Sequence, residues 1–280
     1  MNKEDFFINQ ISNSKYNGDD GAFIDGYVYS MDAFFENVHF KKEWIDKGII
    51  SLKQIAYKSM LVNISDAIAM NAKPKYALIS IAIPNTYTNE DLKALACGFK
   101  KAADDFDFEI IGGDTIENSK LDISITIISK TKEPKYRNSV QIDDYICYTG
   151  KLGESKKDLK ALLNGKKIKK TSKFIKPTLR ADFFYEAAKY INASMDISDG
   201  LFLDLEKLSK ASNKGFIFFK EIKEEVGTSG EEYEILFSVN SKNLKKVDNI
   251  AKKYGVKLNI IAKAVKGSYK SSFPNHHFKN

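Results

Sequence analysis

Apolar residues recur along this chain in two rhythms. Alternation with a period of two marks strands at Tyr27 to Met31, Tyr76 to Ile83, Leu121 to Ile128, Tyr145 to Thr149, Phe216 to Phe219, Glu234 to Val239 and Leu258 to Ala262. Between them a period near 3.6 predicts helices over Leu52 to Met70, Asn89 to Asp105, Ala181 to Ile191, Leu201 to Ala211 and Lys242 to Lys253, with turn residues near their ends. Strands and helices are mixed throughout, which predicts an α/β (α+β) protein. A charged segment from Lys130 to Arg137, carrying Pro134, divides one strand-and-helix set from a second and sets a domain boundary at 133/134.

The chain has 280 residues, enough for two cores. No stretch approaches the ~18 consecutive apolar residues of a membrane span, and the amino terminus lacks the apolar core of a secretion signal. The only cysteines, Cys97 and Cys147, form neither a CxxC pair nor a disulfide framework. These features predict a cytoplasmic protein with no membrane partner. The net charge of +7 raises the question of nucleic acid, but the lysines are scattered; the one dense run, Lys166 to Lys176, is read as a solvated loop. No nucleic-acid partner is expected.

The chemistry lies in aspartates at junctions. Gly18-Asp19-Asp20-Gly21 reads as a turn, and Ser30-Met31-Asp32 as a strand end. Asn63 and Asp66 lie on the first long helix, Gly112-Gly113-Asp114-Thr115 follows a short apolar strand, and Asp196-Ile197-Ser198-Asp199-Gly200 opens a helix of the second set. Taken singly, most of these also fit ordinary turn or capping chemistry. Asn63 and Asp66 do not: they share one face of a helix whose other residues are mainly apolar, where an unpaired carboxylate would be costly. Magnesium would resolve that cost, since it takes oxygen ligands from carboxylates and substrate phosphates together. Such a set without an activated nucleophile suits phosphoryl transfer, which depends on positioning and charge neutralisation. No GxxxxGK[ST] motif and no protein-kinase motif is present.

Read in order, GDDGAFI, YSMDAFFENVHF, YKSMLVNISDAIAMNAKP, IIGGDT, MDISDGLFLDL and SGEEYEILF resemble the successive signatures of the thiamine-monophosphate kinase family, from Gly18 to about Phe237. The resemblance implies a two-domain aminoimidazole ribonucleotide synthetase-like fold. Residues 1–133 would bind ATP and magnesium and pair with a second copy into a dimeric β-barrel; residues 134–280 would form an α/β sandwich completing the cleft. It also implies a homodimer that phosphorylates thiamine monophosphate from ATP, in line, with several magnesium ions.

Position by position, the resemblance implies magnesium ligands at Asp20, Ser30, Asp32, Asp66, Asp114, Asp196 and Asp199. Asp66 would bridge ions, and Asp66, Asp114 and Asp199 would be the catalytic carboxylates. Gly113, Arg137 and Ser198 would contact ATP; His39, Glu231 and Phe273, with Phe278 as the alternative terminal aromatic, would contact the substrate. On residue chemistry alone, His39 equally fits packing beside Phe40, and Glu231 a solvated acidic cluster with Glu232 and Glu234. The chain departs from the family pattern at Met31, usually threonine, and at Ser229 and Glu232, usually glycine and aspartate.

Two other readings stand beside this one. A different enzyme of the superfamily would share fold and metal site, although the cysteine-bearing segments expected of selenophosphate synthetase and of the hydrogenase-maturation protein are missing. A non-catalytic nucleotide- or RNA-binding protein would use the basic surface and bind in a salt-sensitive way without magnesium.

Overall fold

The computed structural model describes residues 3–11 and 14–273. The chain begins with α1 (Lys3–Ile11), β1 (Ala22–Ile24), β2 (Tyr27–Phe35), α2 (Lys42–Asp46), α3 (Leu52–Ala69), β3 (Lys73–Pro84), α4 (Asn89–Phe106), β4 (Glu109–Asn118) and β5 (Asp122–Lys130). It continues with β6 (Tyr145–Thr149), α5 (Glu154–Leu163), α6 (Ala181–Ala187), β7 (Ile191–Asp196), α7 (Leu201–Ser212), β8 (Gly215–Phe218), α8 (Glu224–Gly227), β9 (Ile235–Val239), α9 (Ser241–Lys253) and β10 (Leu258–Val265). The strands form two five-stranded sheets, ordered β1-β2-β5-β3-β4 and β7-β9-β6-β10-β8.

In the first sheet only β3 and β4 run parallel; the other pairs are antiparallel. One face is packed: Val28 and Phe34 of β2, Ile81 of β3 and Ile123, Ile125 and Ile127 of β5 are buried. The opposite face carries Tyr29, Met31, Tyr76 and Leu78, all exposed, because successive side chains on a strand alternate between faces.

Helix α3 is the centre of the molecule. Ser51 and Gln54 form a capping box at its start, satisfying two of the amide groups a helix leaves unpaired. It is apolar on nearly every side, as a helix enclosed by protein must be. Gly98 lets α4 pack closely on it, since a Cβ there would lie 2.3 Å from the Lys53 carbonyl oxygen. The largest core cluster is continuous across both sheets, from Phe34, Ile55 and Ile123 to Phe183, Phe184 and Phe237.

Several expected elements are corrected. Ser30 to Asp32 lie within β2, which runs on to Phe35 through Ala33 and Phe34, so the motif does not end a strand. Gly112 to Thr115 lie inside β4 and do not follow a strand. The helix expected to reach Ile191 stops at Ala187, passes through a short 3-10 turn, and Ile191 begins β7. The lysine run is only partly solvated: Lys166 to Thr171 are mostly exposed, but Ser172, Phe174 and Ile175 are buried.

Candidate active site

Three segments remote in sequence bring carboxylates together. Asp20 comes from the turn before β1, Asp66 from the last turn of α3, and Asp196 from the end of β7; one oxygen of each lies within 4.8 Å of the other two. Asp196 is only 2% exposed and accepts a 2.7 Å hydrogen bond from the Ser65 hydroxyl. Burial, then the neighbouring charges of Asp32, Asp196 and Asp20, push the Asp66 carboxyl well above the carboxylate range. Burial and Asp20 raise Asp196 in the same direction. Like charges crowded in a dry site oppose ionisation.

Arg137 answers part of that charge. Its guanidinium donates to Asp20 Oδ1 and its amide to Asp19 Oδ1 at 2.7 Å. Burial works against the Arg137 charge, but Asp20, with Asp204 and Asp196, more than offsets it and raises its pKa. The second oxygen of Asp20 is buried with no hydrogen-bond partner among the described residues. An orphaned carboxylate oxygen beside two further carboxylates has the chemistry of a site for a hard divalent cation.

Asp32 stands beside this trio. Asn63 Oδ1 accepts its amide at 2.8 Å, and the Ser30 hydroxyl reaches the Asn63 carbonyl at 3.4 Å. Met31, 66% exposed, points to the opposite face of the sheet, so a threonine hydroxyl there would not face Asn63 either. Asp199 forms a separate cluster: Lys207 bonds its carboxylate at 2.6 Å and that of buried Asp204 at 3.1 Å.

Gly113 and Asp114 do not join the trio. Asp32, Ile125, Ile79 and Gly113 form one cross-strand row, which sets Gly113 and its neighbour about 14 Å from Asp32 at the usual strand spacing. The glycine is required by packing, as a Cβ would fall 1.7 Å from the Ile79 carbonyl oxygen. Asp114 is exposed on the edge strand, its carboxylate accepting the Thr115 amide at 2.9 Å.

A second group of side chains lies two turns back along α3. Lys58 is 4% exposed; its Nζ lies 2.5 Å from Glu231 Oε2, 4.0 Å from the Phe174 ring centre and 5.5 Å from that of Phe34. His39 stacks on Phe34 at 5.0 Å, and its Nδ1 accepts the Phe35 amide at 3.0 Å. A narrow cavity among these groups is lined by Phe34, His39, Phe40, Lys58, Phe174 and Ile175. Glu231 has φ 52 and is held by its amide, which donates to the Ser198 carbonyl at 2.7 Å. Ser198 therefore ties the β7–α7 turn to the acidic loop.

Glu232 and Glu234 are fully buried and are not the solvated pair that residue chemistry allowed. Arg180 grips both oxygens of Glu234 at 2.9 Å, Thr149 adds 2.6 Å, and Lys173 lies 2.9 Å from Glu234 and 3.0 Å from Glu232. Burial would raise the Glu234 pKa; Arg180, Lys173 and Thr149 outweigh it and lower it. Phe273 stacks on Phe202 of α7 at 5.1 Å, and Phe278 lies outside the described residues.

Lys58, Lys173, Phe174 and Arg180 were not singled out from the sequence. Lys58 left one trace, a cation inside an otherwise apolar helical run. The others sit in segments whose composition reads as loop.

Two five-stranded sheets joined by a buried helix, with a carboxylate trio at their junction, define a two-sheet α/β class with a candidate cation site. A model of the AIR synthase related protein, N-terminal domain, matches residues 18–131. The chain is 32% identical to the thiamine-monophosphate kinase of Buchnera aphidicola subsp. Schizaphis graminum over 92% of this chain and 91% of that one. It is 31% identical to that of Aquifex aeolicus, over 73% and 68%. The solved structure of AaThiL complexed with AMPPCP and TMP superposes with a TM-score of 0.84 at 25% identity, covering 97% of this chain and 94% of that one. Escherichia coli HypE, a hydrogenase maturation protein, superposes with a TM-score of 0.69 at 14% identity, a likeness of fold alone. The chain belongs to the thiamine-monophosphate kinase family.

Proposed function

We propose that this chain transfers the γ-phosphoryl group of ATP directly to thiamine monophosphate, giving ADP and thiamine diphosphate. The observation that carries the reading is the trio Asp20, Asp66 and Asp196, with an orphaned Asp20 oxygen, whose Asp66 shares helix α3 with Lys58 of the Lys58, Glu231 and His39 group. Lys58 and Asp66 are eight residues apart, about 12 Å along a helix axis, a span suited to an acceptor with an aromatic head and a phosphate tail. The likeness to a structure complexed with an ATP analogue and TMP supports the same substrates here.

In this reading Asp20, Asp66 and Asp196 would hold magnesium, and Asp32, Ser30 and Asp199 would be its further ligands. Magnesium would neutralise the phosphate oxygens and keep donor and acceptor in line. The chain's own residues do the rest. Asp66, fixed on a buried helix, keeps its carboxylate at one place relative to Asp196, and Arg137 restrains Asp20. Ser198 and Arg137 face the nucleotide; His39 and Glu231 face the thiamine head. Phe273, stacked on Phe202, is the terminal aromatic of the site.

We further propose residues 1–133 as the nucleotide and dimerisation domain and residues 134–280 as the domain closing the cleft. The open apolar face of the first sheet supports pairing of two copies into a barrel. Gly113 and Asp114, remote from the trio of their own chain, then serve the nucleotide site through that pairing. A cytoplasmic homodimer is the working form.

The test is ADP release with ATP and thiamine monophosphate, with and without magnesium, with chromatographic identification of the thiamine product. Thiamine diphosphate from the wild type and none from Asp66→Asn supports the reading. ATP turnover with no thiamine diphosphate defeats the substrate assignment.

A further inference from the structure

Lys58 is a buried cation to which the phosphoryl-transfer reading assigns no role of its own. Burying a lysine is unfavourable unless its charge is matched, and here it is matched on two sides. Glu231 Oε2 lies 2.5 Å away, and the face of Phe174 lies 4.0 Å from the ammonium, with Phe34 at 5.5 Å. Phe174 comes from the lysine-rich segment after α5, and with Ile175 it lines the small cavity beside Lys58.

Glu231 needs such an anchor. Its backbone is left-handed, φ 52, a conformation costly for a residue with a Cβ and seen where surrounding structure enforces it. The backbone is pinned by the Ser198 carbonyl at 2.7 Å, and among the described residues Lys58 is what fixes the carboxylate. The side chain of Glu231 is 26% exposed, that of Lys58 5%: the acid opens to the cleft and the base stands behind it.

We propose that Lys58 is the positioning residue of the acceptor pocket, holding the Glu231 carboxylate to receive an amino-bearing, cationic aromatic head, with Phe174 as its support. One oxygen of Glu231 is bound to Lys58, and the other accepts from the acceptor's amino group. Because the ammonium is enclosed by a carboxylate and an aromatic face, it presents little net charge to a cationic ring. Lys58 thereby selects the head of the acceptor and takes no part in the transfer. The inference rests on the proposed kinase reading.

The experiment is steady-state kinetics of the full chain with ATP, magnesium and thiamine monophosphate, for wild type, Lys58→Met, Glu231→Gln, the double variant and Phe174→Leu. Lys58→Met should raise KM for thiamine monophosphate about 10-fold or more while KM for ATP stays within about 2-fold, the signature of lost acceptor binding. Phe174→Leu keeps the charge and should raise the same KM about 3-fold. The double variant should be no worse than the poorer single one, since both changes act through one carboxylate. An unchanged acceptor KM in Lys58→Met, or effects that multiply in the double variant, overturns the proposal. Should Lys58→Met not fold, Phe174→Leu decides alone: an unchanged acceptor KM overturns the proposal and a selective rise supports it. If the wild type makes no thiamine diphosphate, the kinase reading has failed; if it does and these variants behave like wild type, only this inference has.

Discussion

The hydroxyl of Ser229 donates to the carboxylate of Glu232 at 2.6 Å, so the two residues at which this acidic loop is expected to depart from the family pattern are partners. The same Glu232 oxygen takes the amides of Gly153 at 2.7 Å and Ser155 at 3.2 Å, tying the loop to the start of α5. A shorter aspartate would not reach all three donors. Glu232→Asp is therefore expected to cost about 1–3 kcal/mol through unsatisfied buried donors. Ser229→Gly should cost less, and the pair should be non-additive. Urea denaturation of the two single variants and the double variant checks this; strict additivity would show that the departures are independent.

Asp66 should trade stability for activity. Its raised pKa reflects burial and three neighbouring carboxylates. A group whose folded pKa lies above its unfolded one stabilises the fold while protonated, and that contribution is lost as pH rises through the folded value. Without metal, the wild type should therefore lose stability from acid to neutral pH, and added magnesium should stabilise it more at pH 8 than at pH 6. Asp66→Asn should melt higher than wild type in chelator at pH 8, by on the order of 1–2 kcal/mol. It should also lose at least about 1,000-fold in kcat. Calorimetry with and without chelator gives the comparison, and a variant melting lower than wild type would contradict it.

Asp204 supplies a second pH signature away from the trio. Burial lifts its pKa to about 6, with Asp199 adding to the rise and Lys207 and Arg137 opposing it. Its stabilising contribution is complete below the ordinary 3.8 and disappears as pH climbs through about 6. The stability of wild type relative to Asp204→Asn should thus fall by about 2–3 kcal/mol between pH 4 and pH 7.5. Denaturant midpoints across that range, in chelator, measure it; a flat difference would place the titration elsewhere.

The exposed face of the first sheet predicts association. Met31 and Leu78 share a cross-strand row through Thr126, and both are exposed in the single chain. Lysine at both positions is expected to leave the fold intact and yield monomers in sedimentation velocity, with loss of kinase activity. A dimeric double variant would put the contact on another surface.

Much of the site was legible because its chemistry is carried by residue type. Asp20, Asp66 and Asp196 stand out as oxygen donors in junctions or on an apolar helix, and the long helices α3 and α4 announce themselves by period and cap. What was not legible depends on partners distant in sequence. Strand β4, with two glycines and three acidic residues, shows no alternation because it lies at an edge with every residue exposed. Strand β7 is six residues long and follows a helix without a break in polarity. Lys173 looks like its exposed neighbours, and nothing local reveals that Glu232 and Glu234, some 60 positions later, draw it inward. The outward direction of Met31 follows only once the strand is known to continue past it.

Helix α3 also bears on how the molecule moves. It belongs to the first half by sequence, yet Ser65 bonds Asp196, the Ala69 carbonyl accepts the Ser194 hydroxyl at 2.6 Å, and Lys58 holds Glu231. Those three ties, spread along its length, bolt the second sheet to the same axle that carries the first. A hinge that swung the halves apart would have to shear a continuous core as well as break all three. The distance between the two ends of the site, Lys58 and Asp66, is thereby set by the pitch of one helix.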